Sequence, residues 1–238
     1  MHNEQENCVQ LIEEILSLNL KKKYEDGYEI ICVDDNSSDQ TLSILKGIKD
    51  EIPQLRLIHL RKRCGQSTAL CVGVERARAK IIVTLDGDGQ NDPADVPALL
   101  HVLDEQCAQG VRMVAGWRKQ RKDTFWRRFS SRLANSVRAF LLRDQTPDTG
   151  CGLKVFYRSS FMAMPWFDHM HRFLPALIQR GGGKVLSVQV RHRPRLHGTS
   201  HYGTWDRLRV GIIDLFGVAW LQRRNQLPRV VEVTGKEE

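Results

Sequence analysis

Apolar positions along this chain change period several times, and each change predicts an element. Val9, Ile12, Leu16 and Leu20 recur at helical spacing, so residues 3–20 read as a helix. Asn3 stands at its cap, and Glu4 and Glu6 occupy the first turn. Tyr28 to Val33 is a short apolar strand running into Asp34-Asp35-Asn36-Ser37-Ser38-Asp39. That Ser/Asp cluster opens a helix over 41–48. Pro53 interrupts it, and 55–60 is the next strand. Residues 66–79, rich in small side chains after Gly65, form a helix. The run 81–85 reads as a strand buried on both faces. Asn91-Asp92-Pro93 caps a helix over 95–108, and 111–116 is a strand. Strands alternating with helices predict an α/β domain, Rossmann-like, with a mostly parallel sheet.

The second half has a different pattern. Residues 117–143 place many Arg and Lys among Trp117, Phe125, Trp126, Phe129 and Phe140, on what reads as an amphipathic helix. Such a face is either a solvated basic surface over an aromatic core or a phosphate- or membrane-binding surface. A tight turn at 147–152 precedes a strand over 153–157. Short helices over 159–164 and 170–180 follow, the latter ended by Gly181-Gly182-Gly183. Residues 185–192 alternate as a strand, and 193–200 form a basic loop. The apolar run 208–221 is broken by Asp214 and bounded by Arg207, Arg209, Arg223 and Arg224. It is too short to span a bilayer upright and suits a helix lying in the interface. The division expected is a catalytic domain over 1–204, an interface helix over 205–224 and a disordered tail over 225–238.

Charge adds one constraint. A net charge of +8 favours an anionic partner: nucleic acid, acidic lipid or a phosphorylated substrate. The charge is spread and carries no nucleic-acid-binding signature, so nucleic acid is not expected. The 6 cysteines include no C-x-x-C, which leaves a zinc or thioredoxin-like site unsupported. Their place in apolar runs, with a polar start and no leader pattern, reads as a cytoplasmic protein.

The candidate chemistry lies at Asp86-Gly87-Asp88-Gly89-Gln90, directly after the strand over 81–85. Two carboxylates on one turn repel and raise each other's pKa. A hard divalent cation, Mg²⁺ or Mn²⁺, relieves that conflict and leaves coordination positions for substrate phosphates. Open α/β sheets bind ligands at this end of their strands. The competing reading is an Asp-Gly turn with solvated carboxylates.

Several segments, in order, resemble glycosyltransferase family two and, within it, the dolichol-phosphate mannosyltransferase-like enzymes. They are His2-Asn3-Glu4, Val33-Asp34-Asp35-Asn36-Ser37-Ser38-Asp39, Gly65 with its small-residue helix, and Asp86-Gly87-Asp88-Gly89-Gln90. Gly116-Trp117-Arg118, Asp148-Thr149-Gly150-Cys151-Gly152 and the loop from Arg195 to Tyr202 complete the set. The resemblance implies a GT-A fold and inverting transfer from a nucleotide-diphosphate sugar to a polyprenyl phosphate. It implies that Asp35, with Asp34 beside it, holds the nucleoside. Asp86, Asp88 and Gln90 would reach the metal and diphosphate. Arg118 and Arg195 would clamp phosphates, and Glu4 and Ser200 belong to the same donor-binding set. It places the protein peripherally on the inner face of the cytoplasmic membrane, with acidic lipid and an integral-membrane protein as partners.

Alternatives stay open: a saccharide acceptor, with Asp148 as the candidate catalytic base; a non-catalytic basic binder; or an inactive remnant. The last arises because the family pattern begins with an apolar strand and a proline turn before the Asn-Glu pair. Here Met1-His2 stands directly before that pair, so a central strand is expected to be missing and stability to suffer.

Overall fold

The computed structural model describes residues 1–20, 27–118, 138–194 and 204–226, with backbone alone for 204–210. Helices α1 (Cys8–Ser17), α2 (Thr41–Lys49), α3 (Gln66–Arg76) and α4 (Val96–Gln106) alternate with strands β1 (Ile30–Asp34), β2 (Leu55–His59), β3 (Ile81–Thr84) and β4 (Val111–Trp117). Strand β5 (Lys154–Tyr157), α5 (Arg158–Met162), α6 (Leu174–Arg180), β6 (Lys184–Gln189) and α7 (Thr204–Arg223) follow.

The strands form two sheets. β1 and β2 pair in parallel, and the second sheet runs β3-β5-β4-β6. β5 enters between β3 and β4 antiparallel to both, while β4 and β6 are parallel. Alternation along the strands feeds two cores. Met113 and Phe156 point to the layer of α3, α5, α6 and α7, where Phe161, Leu174 and Val218 are buried. Val114 and Val155 point to α4, where they meet Leu99 and Leu103. A third core joins β1 and β2 to α1 and α2 through Ile12, Cys32 and Leu45.

The first helix starts later than its periodicity predicts. Asn3 adopts φ 56°, and its side-chain oxygen accepts the Ser38 N–H at 2.9 Å. It therefore ties the N-terminus to the loop after β1 rather than capping a helix. The carbonyl of Glu4 accepts the N–H groups of Asn7 and Cys8, both at 3.0 Å, and α1 begins there.

β3 also departs from expectation. All four of its residues are half-buried, not enclosed on both faces. The reason is a slot between the sheets. Even-numbered residues of β1 turn their N–H groups to β2, as Ile30 does to the Gln54 carbonyl at 2.8 Å; odd-numbered ones face the slot. Met1 fills its far end. Its ammonium donates to the Val33 carbonyl at 2.6 Å, and the Asp35 N–H donates to the Met1 carbonyl at 2.8 Å. These are the bonds of a parallel strand residue opposite Asp34. The Met1 side chain lies against Gly87, where an added Cβ would come within 2.7 Å of Cγ. α3 bridges the sheets, packing Gly73 on Val33 and sending Cys71 and Val74 into the core under β4 and β5.

Amide exchange followed by NMR tests this slot. The N–H groups of Ile31 and Val33 are expected to exchange faster than those of Cys32 and Asp34. An apolar five-residue strand (about the usual length) fused ahead of Met1 is expected to remove the difference and raise Tm. Equal protection of all four amides in the unfused chain would contradict an open slot.

Candidate active site

β3 delivers its chain to the turn that carries Asp86 and Asp88. Thr84 anchors the end of the strand by donating from Oγ1 to the Gly152 carbonyl at 2.7 Å. The Asp86 N–H donates to Asn91 Oδ1 at 3.1 Å, and the Gln90 N–H donates to Asp88 Oδ1 at 3.1 Å. Gly89 takes φ 69°, which the reversal requires. The Gln90 carbonyl then accepts the Arg193 N–H at 3.0 Å, fastening the turn to the chain after β6.

Asp86 sits in tight quarters. Gln66, the first residue of α3, donates from Nε2 to its Oδ1 at 2.9 Å. A Cβ at Gly152 would overlap its carboxylate. Desolvation raises the Asp86 pKa; Asp88 adds to the rise, while Lys154 and Arg118 oppose it. Lys154, 4% exposed, donates to the Cys151 carbonyl. Its burial lowers its own pKa against the pull of Asp86.

Arg118, at the end of β4, grips Asp148 with Nε at 2.7 Å and Nη2 at 2.9 Å. Burial acts to lower the guanidinium pKa, and the Asp148 pairing more than offsets it. Gly116 lets the 151–153 segment pass close to β4, since a Cβ there would come within 2.9 Å of Cys151 Sγ and 3.0 Å of the Leu153 carbonyl. Arg138 supports the same loop through the Thr146 carbonyl, at 2.6 Å, and the Thr149 hydroxyl.

The other expected donor contacts lie at the end of β1. Asp34 is fully buried and accepts from the Ser37 hydroxyl and N–H, with His59 Nδ1 at 2.8 Å. Asp35 accepts the N–H groups of Cys64 and Gly65, at 2.7 and 2.8 Å, and so fixes the entry to α3. Glu4 takes the Asn7 amide on Oε2 at 2.7 Å, while its N–H donates to Thr41 Oγ1 at 2.8 Å. Asp86, Arg118 and Asp148 thus meet the 150–152 turn, Asp88 and Gln90 lie on the turn that carries Asp86, and Asp34, Asp35 and Glu4 lie at the end of β1. Arg195 and Ser200 lie outside the described residues, as do most of the basic segment over 117–143 and the end of the tail.

Sequence reasoning passed over Gln66, Asn91, Gly152 and Lys154. The first three carried a usable signal: each lies in or beside a motif already singled out. Lys154 carried none, because a lysine within a strand gives no sign that it will be buried beside a carboxylate.

The donor set bears on a divalent cation. Among the described residues no three His, Cys, Asp or Glu side chains converge on one point. Two carboxylates beside a glycine cradle make an oxygen-only, incomplete donor set. That set fits Mg²⁺ or Mn²⁺, whose remaining positions go to phosphate and water.

The family described as Glycosyl transferase family 2 matches residues 1–164. The chain is 34% identical over 230 residues to a dodecaprenyl-phosphate galacturonate synthase of Rhizobium johnstonii, covering 95% of this chain and 66% of that protein. It is 30% identical over 207 residues to an undecaprenyl-phosphate 4-deoxy-4-formamido-L-arabinose transferase of Edwardsiella ictaluri, covering 85% and 61%. It thus spans less than two thirds of the length of these relatives. A mannosyltransferase from Pyrobaculum calidifontis, solved with GDP-Man and Mn²⁺, superposes with TM-score 0.66 at 20% identity, covering 96% of this chain and 64% of that one. That likeness gives the fold, GT-A.

Two outcomes test the site. Gly152→Ala is expected to displace the Asp86 carboxylate and weaken Mn²⁺ binding, with little change in Tm; unchanged Mn²⁺ binding would contradict the cradle. Protons compete for Asp86 above the ordinary carboxylate range, because its pKa is raised. Mn²⁺ binding, followed by paramagnetic resonance, is therefore expected to weaken as pH falls from neutrality and to be weak throughout in Asp88→Ala. Wild-type binding that stays flat down to about pH 4, the ordinary Asp value, would contradict this.

Proposed function

This chain belongs to glycosyl transferase family 2, and on that premise we propose that it moves a sugar from a nucleotide-diphosphate donor to a polyprenyl phosphate at a membrane surface. The observation carrying this reading is the cluster of Asp86, Asp88, Lys154 and the Arg118–Asp148 pair at one end of β3 and β4. It suits a diphosphate leaving group, and the two relatives are named for transfer to polyprenyl phosphates.

The acceptor phosphate oxygen attacks the anomeric carbon while the bond from that carbon to the diphosphate breaks, inverting the centre. The nucleophile is already anionic, so no strong base is needed. Asp86 and Asp88 would hold the cation, with Gln90 beside them. When bound, Mg²⁺ or Mn²⁺ neutralises charge on the departing diphosphate. Arg118 presents a guanidinium whose orientation Asp148 has already set, which lowers the reorganisation needed as charge develops. Asp35 and Asp34, with Glu4, shape the nucleoside end; Arg195 and Ser200 would complete the phosphate contacts. A saccharide acceptor would require a carboxylate base, and a carboxylate gripped through two bonds by a guanidinium, as Asp148 is, is a weak one.

α7 supplies the membrane contact in this reading. No described helix is long and apolar enough to cross a membrane. One side of α7 packs on the core through Leu215, Val218 and Ala219. Gln222 Nε2 donates to the carbonyls of Leu142 and Ala176, at 3.1 and 3.2 Å. The other side leaves Ile212, Ile213, Phe216 and Trp220 exposed, with Phe140 86% exposed near the helix end. Such a stripe beside Arg223 and Arg224 fits the headgroup region of an acidic leaflet, where each basic residue adds about 1 kcal/mol. Residues 205–224 would then be the interface helix of a catalytic domain over 1–204, followed by a disordered tail over 225–238. The protein would work on the inner face of the cytoplasmic membrane, with an integral-membrane protein as a further partner.

The test is transfer of radiolabelled sugar from a panel of nucleotide-sugars into a lipid-phosphate product with native membranes; label in a saccharide product instead would overturn the reading. The double variant Phe216→Asp/Trp220→Asp is expected to keep its Tm and to stop sedimenting with acidic vesicles. Retained sedimentation would show that this face is not the docking surface.

A further inference from the structure

The turn at residues 168–172 holds a histidine with no part in the mechanism above. Ser67, in the first turn of α3, is 2% exposed, and its neighbour Gln66 is the residue that reaches Asp86. Ser67 Oγ lies 2.7 Å from His171 Nδ1 and accepts the His171 backbone N–H at 3.3 Å. A hydroxyl has one proton. Its oxygen accepts the backbone N–H, and giving that proton to Nδ1 uses the hydroxyl as both acceptor and donor, the arrangement on which the proposal below is built. Nδ1 is then an acceptor, and the proton of a neutral ring sits on Nε2. Nε2 has no protein partner among the described residues.

The surroundings keep the ring neutral. Burial comes first, and then Arg172 and His169 from the same turn and Lys154 from β5; together they push the His171 pKa down to about 3. The turn itself is held in place. His169 takes φ 62°, a strained value for a non-glycine residue that persists where packing enforces it. Its Nδ1 lies 3.5 Å from Asp214 of α7, and Met170 Sδ meets Cys71 of α3 at 3.5 Å.

We propose that His171, locked by Ser67 as the Nε2–H tautomer, donates a hydrogen bond to a phosphate oxygen of the substrate. This rests on the function proposed above. A neutral N–H donor among Arg172 and Lys154 suits an anionic oxygen, whereas an imidazolium there would be repelled by its own neighbours. The same chemistry describes the donor diphosphate and the acceptor phosphate. Ser67 is the positioning residue, acting only through the ring.

Two measurements decide the matter. In ¹⁵N-histidine-labelled protein at neutral pH, His171 is expected to show the Nε2–H tautomer, and its Nε2 resonance to move when Mg²⁺ and inorganic pyrophosphate are added. The Nδ1–H tautomer, or no movement, overturns the proposal whether or not the protein transfers sugar. In the transfer assay, His171→Gln keeps a donor near the Nε2 position, while His171→Asn keeps only the group facing Ser67. The Asn variant is expected to lose about 10–100-fold in kcat/KM, the range for a hydrogen bond to a charged group, and the Gln variant far less, with equal Tm. Ser67→Ala is expected to fall between them and Ser67→Thr to restore activity. A rise in nucleotide-sugar KM assigns the bond to the diphosphate, and a rise in lipid-phosphate KM assigns it to the acceptor. Equal losses in Gln and Asn overturn the proposal. So does an acid limb in the wild-type pH profile that His171→Gln abolishes, which would make the ring a titrating base. A wild-type protein that moves no sugar to lipid phosphate would instead overturn the function.

Discussion

A crowded, half-buried carboxylate, Asp86, is the constraint on which the rest of this site depends. Its charge is costly there, Asp88 adds to that cost, and other neighbours offset it. Gln66 donates to it, Lys154 lies buried within electrostatic reach, and Gly152 leaves the space for it. Lys154 is in turn a buried cation that would be unfavourable without Asp86. The two groups explain each other.

The sheet shows how little backbone continuity such a site needs. β1 and β3 are not paired, yet the ends that carry Asp35 and Asp86 are brought side by side. α3 does this work. Its entry is fixed by Asp35, its first residue bonds Asp86, its second holds His171, and its body packs under both sheets. Helix packing substitutes for the ladder bonds that the slot lacks. The half-buried state of β3 is the visible consequence.

α7 packs into the same core as α3. It is amphipathic in the sense that matters, with Val218 and Ala219 buried and Ile213 and Phe216 outside. Its Asp214 touches His169, so the helix proposed to meet the membrane is packed against the turn that carries His171.

Much of this was legible along the chain. β-branched runs ending in Asp34-Asp35 and Asp86-Gly-Asp88 announce strands that carry chemistry, because hydrophobic period and carboxylate spacing are local properties. The same holds for α2, β2 and α4, whose limits follow from capping and proline signals within a few residues of their ends. What tertiary structure alone decided was pairing. Nothing local says that Arg118 would find Asp148, that Lys154 would be buried beside Asp86, or that Ser67 would meet His171 across more than a hundred residues. Nor could periodicity show that Asn3 would bond Ser38 instead of capping a helix. A side chain's period states which face it occupies, while its partner depends on which faces are brought together. Period is written in neighbours along the chain, and partners are chosen by the packing of all the layers at once.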